Sequence, residues 1–305
     1  MPVLVVKVWG ISLNYGNRFV PYGTSNIFRH RYRVSDAYFL LYREKGKFMS
    51  KIEILKIIRQ IELDNNIEVV FACDIGSRAL GYATENSDYD IRFIYIQNSK
   101  NYLTVNGYKD TIETRSGEYD FVGYDIKRML DFCNKSNAIF WNMLYSNSIV
   151  LDSGIGNELR LIAKNFFSQK SFLKRYCCLI YSRYTADILK NERVKIKYYL
   201  FIFVKLATAI SIANGTYNKD NIIKENLMKC AGILPKDITD VLMQLLKSRV
   251  QGEEYTARIS LLDNYIDSTM DSLKDIAYSL NDSESDNSLN EYFYNLIVRR
   301  IYDNK

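Results

Sequence analysis

Between residues 51 and 63 the apolar positions Ile52, Ile54, Leu55, Ile57, Ile58 and Ile61 recur at helical spacing, and a compact apolar run over 68–73 follows. That order predicts a helix leading into a strand. Residues 91–96 and 119–124 read as two further strands, separated by turn-rich segments that contain Asn106-Gly107 and Ser116-Gly117. Beyond Asp125 helical spacing takes over. Helices are predicted over 125–133, 138–145, 155–167, 171–190, 194–213, 238–247 and 255–280, with a last one over 289–301. The acidic, polar stretch 281–288 reads as an exposed loop. The fold class expected is α+β, a small mixed-sheet domain over 49–150 followed by an all-helical domain over 151–305. Before it, residues 3–9 alternate like a short strand but no sustained period runs to Lys47, so 1–48 reads as an N-terminal extension and a new unit starts at Met49.

Charge sharpens that boundary. Residues 1–48 hold the bases Lys7, Arg18, Arg29, Arg31, Arg33, Arg43, Lys45 and Lys47 against Asp36 and Glu44, which accounts for the whole net charge of +6. The remainder has 33 bases and 33 acids. The extension is either a basic arm for a nucleic-acid acceptor or a segment outside the functional fold, and its lack of a compact Lys/Arg run favours the second.

Composition narrows the chemistry. With five cysteines in no CxxC pair and a single histidine, His30, far from all of them, a His/Cys zinc site and a Ser-His-Asp triad are excluded. The odd cysteine count, without a secretory leader, points to free thiols in a reducing, cytoplasmic compartment. The apolar stretch 198–213 is shorter than the roughly 20 residues a membrane span needs, and Lys205 sits in its middle, so it reads as a buried helix. Catalysis must then rest on carboxylates, hydroxyls or bound metal.

The residues for such chemistry stand at one place. Directly after the first strand comes Gly76-Ser77-Arg78, and ten residues after the Gly-Ser pair comes Asp88-Tyr89-Asp90 at the head of the next strand. A glycine at a strand-to-helix turn lets backbone N–H groups approach a polyphosphate, with Ser77 adding a hydroxyl and Arg78 a cation. Carboxylates two apart on a strand share a face, so Asp88 and Asp90 can hold Mg²⁺ together with substrate phosphates; Arg92 lies on the same face. Arg78 and Arg92 serve either the phosphates or as countercharge to the acids. A two-metal transfer wants a further carboxylate near the attacking oxygen. Asp120 at the start of the third strand is the candidate, Glu118 the fallback, and Asp125 is better explained as a helix N-cap.

Gly76-Ser77-Arg78 with Ser87-Asp88-Tyr89-Asp90-Ile91-Arg92 resembles the signature of the DNA polymerase beta superfamily of nucleotidyltransferases. Continued through Tyr119-Asp120-Phe121-Val122-Gly123-Tyr124-Asp125-Ile126-Lys127-Arg128, it is similar to the bacterial and viral branch of RNA-repair-associated predicted nucleotidyltransferases. Lys195-Ile196-Lys197-Tyr198-Tyr199, Lys205 and Leu289-Asn290-Glu291 resemble later features of that branch, and the proline usual there after Asn134 is replaced by Lys135-Ser136-Asn137-Ala138. The resemblance spans roughly 49–300.

It implies a nucleotidyltransferase fold with a helical companion, transfer of NMP from an NTP to a hydroxyl of RNA, a small molecule or a protein, and two Mg²⁺ ions, with Mn²⁺ as a substitute. Asp88, Asp90 and Asp120 are then the metal and catalytic candidates. Gly76, Ser77, Arg78, Arg92, Lys197 and Lys205 are the nucleotide-binding candidates, although for Lys205, inside an apolar helix, a second reading as a cation that snorkels or pairs with an acid is favoured over ligand contact. The competing function is a nucleotide- or RNA-binding protein of the same fold without turnover. Retention of both Asp88 and Asp90 counts against it.

Overall fold

The structure is a computed structural model that describes residues 7–8, 11–12, 34–217, 225–281 and 287–303. The chain divides into two units, Met1–Phe48 and Met49–Lys305. In the first, β1 (Lys7–Val8) pairs antiparallel with β2 (Ile11–Ser12). His30 and half of the basic residues of this unit (Arg18, Arg29, Arg31 and Arg33) lie outside the described residues, as does most of the 281–288 loop. Helix α1 (Val34–Asn65) extends well upstream of the predicted 51–63.

The second unit is built on a five-stranded mixed sheet of order β5-β6-β4-β3-β7. Its strands are β3 (Ile67–Asp74), β4 (Tyr89–Gln97), β5 (Thr111–Ser116), β6 (Tyr119–Asp125) and β7 (Ser148–Asp152), with the single helical turn α2 (Ser77–Leu80) between β3 and β4. Strands β3 and β4 run antiparallel, β4 and β6 parallel, and β5 closes a hairpin onto β6 through Gly117. The edge strands β5 and β7 were not expected from the pattern. In β5 only Ile112 is buried, and β7 is five residues inside a region of helical spacing, so neither shows the alternation that marks a half-buried strand.

Side-chain alternation gives the sheet two different faces. Ile91, Phe93 and Tyr95 of β4, with Tyr119 and Phe121 of β6, pack against Ile54, Ile58 and Ile61 of α1. Ile94 and Ile96, on the opposite face, join the larger core made with the helices. These are α3 (Ile126–Asn134), α4 (Ala138–Leu144), α5 (Ile155–Ala163), α6 (Gln169–Arg183), α7 (Ile196–Ala213), α8 (Leu227–Cys230), α9 (Lys236–Val250), α10 (Ser260–Ser279) and α11 (Ser288–Asp303). The expected 49–150 and 151–305 portions thus share one core.

Helix starts follow local chemistry. Asp125, Asn137 and Ser168 accept backbone N–H bonds from Lys127, Ile139 and Ser171 at the heads of α3, α4 and α6. Where proline was missed, Ser136 takes a left-handed φ of 48° and its hydroxyl donates to the Phe166 carbonyl at 3.0 Å. Three expected helices are altered: α6 passes into a π-helical turn, Tyr184–Leu189, and a short pair, β8 (Arg193–Lys195) with β9 (Tyr255–Ala257), takes residues from the starts of the predicted 194–213 and 255–280 helices. Helix α7 is long and apolar enough to cross a membrane by length and composition, yet most of it, Lys205 included, is buried in the protein.

Candidate active site

The site forms where the helices leave the sheet face open. Ile94 and Ile96 are covered, whereas Asp90 and Arg92, earlier on the same face of β4, are half-buried. Antiparallel pairing sets Asp74 opposite Ile91 and Cys73 opposite Arg92, and the Ile75 N–H donates to the Asp90 carbonyl at 3.0 Å. The chain leaving β3 is therefore pinned against Asp90. A Cβ placed on Gly76 would lie 2.1 Å from Asp90 Oδ2, so the glycine is required by this carboxylate as well as by the turn.

Asp74 shapes the turn from beneath. Its Oδ1 accepts the Gly76 N–H at 2.7 Å, its carbonyl accepts the Ser146 hydroxyl at 2.5 Å, and its Oδ2 is buried with no hydrogen-bond partner among the described residues. Burial, with a smaller push from Asp90, raises this carboxyl to about 6 against the pull of the Gly76 N–H and the arginines. Ser77 begins α2, a turn so short that its backbone N–H groups, rather than a long helix dipole, are what it offers a phosphate. The Arg78 guanidinium carbon lies 3.9 Å from the centroid of the Tyr89 ring, and its Nη2 donates to the Ser87 carbonyl at 2.5 Å. Tyr89 in turn stacks on Tyr119 at 4.9 Å, and Tyr119 donates to Glu53 of α1.

The acids gather around Asp90. Parallel pairing of β4 with β6 places Asp120 directly beside Asp90, with its side chain on the same face. Asp88, exposed and just ahead of β4, completes the group. Burial raises the Asp90 carboxyl, Asp120 and Asp88 raise it further, and Arg92 and Lys197 oppose them. Arg92 Nη1 donates to Asp120 Oδ2 at 3.1 Å. Glu118, the fallback acid, sits exposed in the hairpin turn outside the strand. Asp125 is buried as the cap of α3 and also accepts the Tyr102 hydroxyl at 2.7 Å.

Among the described residues no three carboxylate, thiol or imidazole groups form a ready-made metal cage. Asp120 is drawn to Arg92, a countercharge that three neighbouring acids require when no cation is bound. The donor set nevertheless suits a hard divalent cation, which takes one or two carboxylates and completes its shell with phosphate and water. Asp88 and Asp90 supply such a pair, and Asp120, bonded to Arg92 through Oδ2, has Oδ1 left to join it.

Of the outlying candidates, exposed Lys197 near the start of α7 acts on Asp90 through space. Lys205 does not reach the acids. It is buried against Glu225, whose carboxylate also accepts the Tyr176 hydroxyl at 2.6 Å, so the second reading of this lysine is the one the geometry takes. Asn147 then joins that network to the loop, donating to the carbonyls of Glu225 and Ala79. One residue with no sequence signal stands close by: Arg249, in the last turn of α9, donates from Nε to the Tyr82 carbonyl at 3.1 Å and from Nη2 to the Ser87 hydroxyl at 3.5 Å. A single cation at a helix end carries no motif, and nothing along the chain relates it to a loop more than 160 residues away.

The five-stranded mixed sheet carries the Gly-Ser turn after β3 and the Asp-x-Asp pair at the head of β4, the positions that carry the resemblance to the polymerase beta superfamily. Residues 50–295 match the RNA repair pathway DNA polymerase beta family (RlaP), and the chain belongs to that family. It is 25% identical over 255 residues to the uncharacterized protein YcgL of Bacillus subtilis strain 168, covering 81% of this chain and 96% of that protein. A solved nucleotidyltransferase-like protein from Exiguobacterium sibiricum 255-15 is 11% identical, with 70% of this chain and 69% of that one covered at a TM-score of 0.27, too low to inform the site.

Proposed function

We propose that this chain is a divalent-metal-dependent nucleotidyltransferase that moves NMP from an NTP to a hydroxyl, at an RNA 3′ end, on a small molecule or on a protein. The observation that carries the reading is the placement of Gly76 against Asp90, with Asp88 and Asp120 beside it. In this reading the acceptor oxygen bonds to the α-phosphorus, the bridge to the β-phosphate breaks, and pyrophosphate leaves.

Asp88 and Asp90 hold Mg²⁺, or Mn²⁺ in its place, which when bound supplies charge neutralisation at the phosphates. Backbone N–H groups at Gly76 and Ser77, with the Ser77 hydroxyl, cradle the β- and γ-phosphates. Asp120 receives the proton of the acceptor hydroxyl, and Arg92 is its countercharge while the site is empty of substrate. Lys197 adds positive charge at the rim. Arg78 fixes the loop through Ser87 and Tyr89, and the rest of its guanidinium fork is left for phosphate.

The test is incubation of the purified chain with each labelled NTP, Mg²⁺ or Mn²⁺, and tRNA, single-stranded RNA or protein extract as acceptor. Metal-dependent transfer to one acceptor class, absent in Asp88→Ala and Asp90→Ala, supports the reading. NTP binding without transfer to any acceptor would instead define a nucleotide- or RNA-binding protein without turnover.

A further inference from the structure

Two guanidinium groups converge on Ser87, the residue before Asp88. Arg78 reaches its carbonyl from α2, and Arg249 reaches its hydroxyl from α9. Ser87 is itself held rigidly: its hydroxyl accepts the Thr84 N–H at 2.9 Å and its own N–H donates to the Thr84 carbonyl at 3.2 Å. Both arginines bond only to neutral oxygens among the described residues, and Arg78 Nε is buried with no partner. Arg249 is partly desolvated, which lowers its pKa, while Tyr82 and Glu254 act on it only through space.

Two guanidinium groups held at one residue, Arg249 partly stripped of water and neither with a carboxylate in hydrogen-bond contact among the described residues, favour an anion beside them. A guanidinium offers a planar fork of N–H donors that matches phosphate oxygens, and neutral acceptors use only part of that fork here. Both guanidiniums meet at Ser87, the residue before exposed Asp88, and Arg78 directly follows Gly76 and Ser77 in the phosphate-loop turn.

We propose that Arg249, together with Arg78, forms a two-arginine seat for the terminal phosphates of the triphosphate, so that α9 supplies a binding residue to the strand-borne site. The identity of the anion rests on the nucleotidyltransferase reading. The seat distinguishes a triphosphate from a monophosphate, since it grips only the part of the substrate that leaves.

The test is calorimetric titration of the full chain, with Mg²⁺ in excess, using inorganic tripolyphosphate, ATP and AMP. Arg249→Gln is expected to weaken tripolyphosphate and ATP binding about tenfold, the order of one charge-assisted phosphate contact, and to leave AMP unchanged. Arg249→Lys, which keeps the cation but not the fork, is expected to fall between. Equal affinities of wild type and Arg249→Gln for tripolyphosphate overturn the seat, and so does an equal loss for AMP and ATP, which marks a distorted loop instead. Should Arg249→Gln fail to fold, Arg249→Lys decides: unchanged tripolyphosphate affinity overturns the proposal, and a severalfold loss at unchanged melting temperature supports it. Tripolyphosphate binding that depends on Arg249, with no NTP bound at all, would sink the nucleotidyltransferase reading and leave the anion seat standing.

Discussion

Asp90 stands where the charges of Asp88, Asp120, Arg92 and Lys197 meet, and where a side chain on Gly76 cannot be. Because catalysis in this reading is mainly charge placement around phosphates, Asp88→Ala and Asp90→Ala should each lower transfer by about 10²–10³-fold or more. Circular dichroism should stay unchanged. Near-normal steady-state rates in both would remove these residues from the site. Asp120→Asn is expected to cut kcat strongly with little change in NTP affinity, since its work is on the acceptor side. If Glu118→Gln is the damaging change, the register of β6 has been misassigned to function. Asp125 makes a different, pH-dependent prediction. Burial raises its carboxyl to about 6, above the ordinary 3.8, so the folded state binds the proton more tightly than the unfolded one. The stability this contributes is complete below pH 4 and is lost as pH rises through 6. Asp125→Asn, which cannot ionise, should therefore gain on wild type by on the order of 2–3 kcal/mol between pH 4 and pH 7, read from urea midpoints. A constant difference across that range would contradict it.

Among the elements, the turn after β3 carries the most information per residue. Gly76→Val should abolish triphosphate binding, and the cause is twofold: the new Cβ meets Asp90, and the backbone can no longer approach a phosphate. Calorimetry showing equal NTP binding by wild type and Gly76→Val would refute the phosphate-loop reading. Strands β3, β4 and β6 were legible because they are apolar runs bounded by turn residues, and the Gly-Ser and Asp-x-Asp elements were legible because chemistry and strand ends coincide. Asp120 could be picked out as a strand-start acid, but its pairing with Asp90 depends on a parallel register that no local pattern specifies. Strands β8 and β9 were hidden inside helical periodicity, since three-residue strands pair through their backbones and leave almost no side-chain signature. Lys205 was open to two readings because its acid, Glu225, is 20 residues on and outside its helix. Arg249 could not be read at all, its contacts being purely tertiary.

For the molecule as a whole, the division at Met49 suggests which part performs the reaction. The family match begins at residue 50, and Ile54, Ile58 and Ile61, the α1 residues that pack on the sheet, all lie beyond it. A chain beginning at Met49 should therefore fold and transfer nucleotide as the full chain does. A selective loss of RNA affinity with a flatter salt dependence would make residues 1–48 a basic arm, and failure to fold would contradict both readings of that segment. In the proposed reaction the α-phosphate, with its nucleoside, is what moves. This is tested most directly by offering the full chain and Asp90→Asn the same NTP labelled at the α-phosphate or at the γ-phosphate, with Mg²⁺ and the acceptor panel. The expected result is that α-label becomes covalently attached to acceptor, that γ-label leaves entirely as pyrophosphate, and that Asp90→Asn attaches neither. Attachment of γ-label, or equal attachment of α-label by wild type and Asp90→Asn, would contradict it.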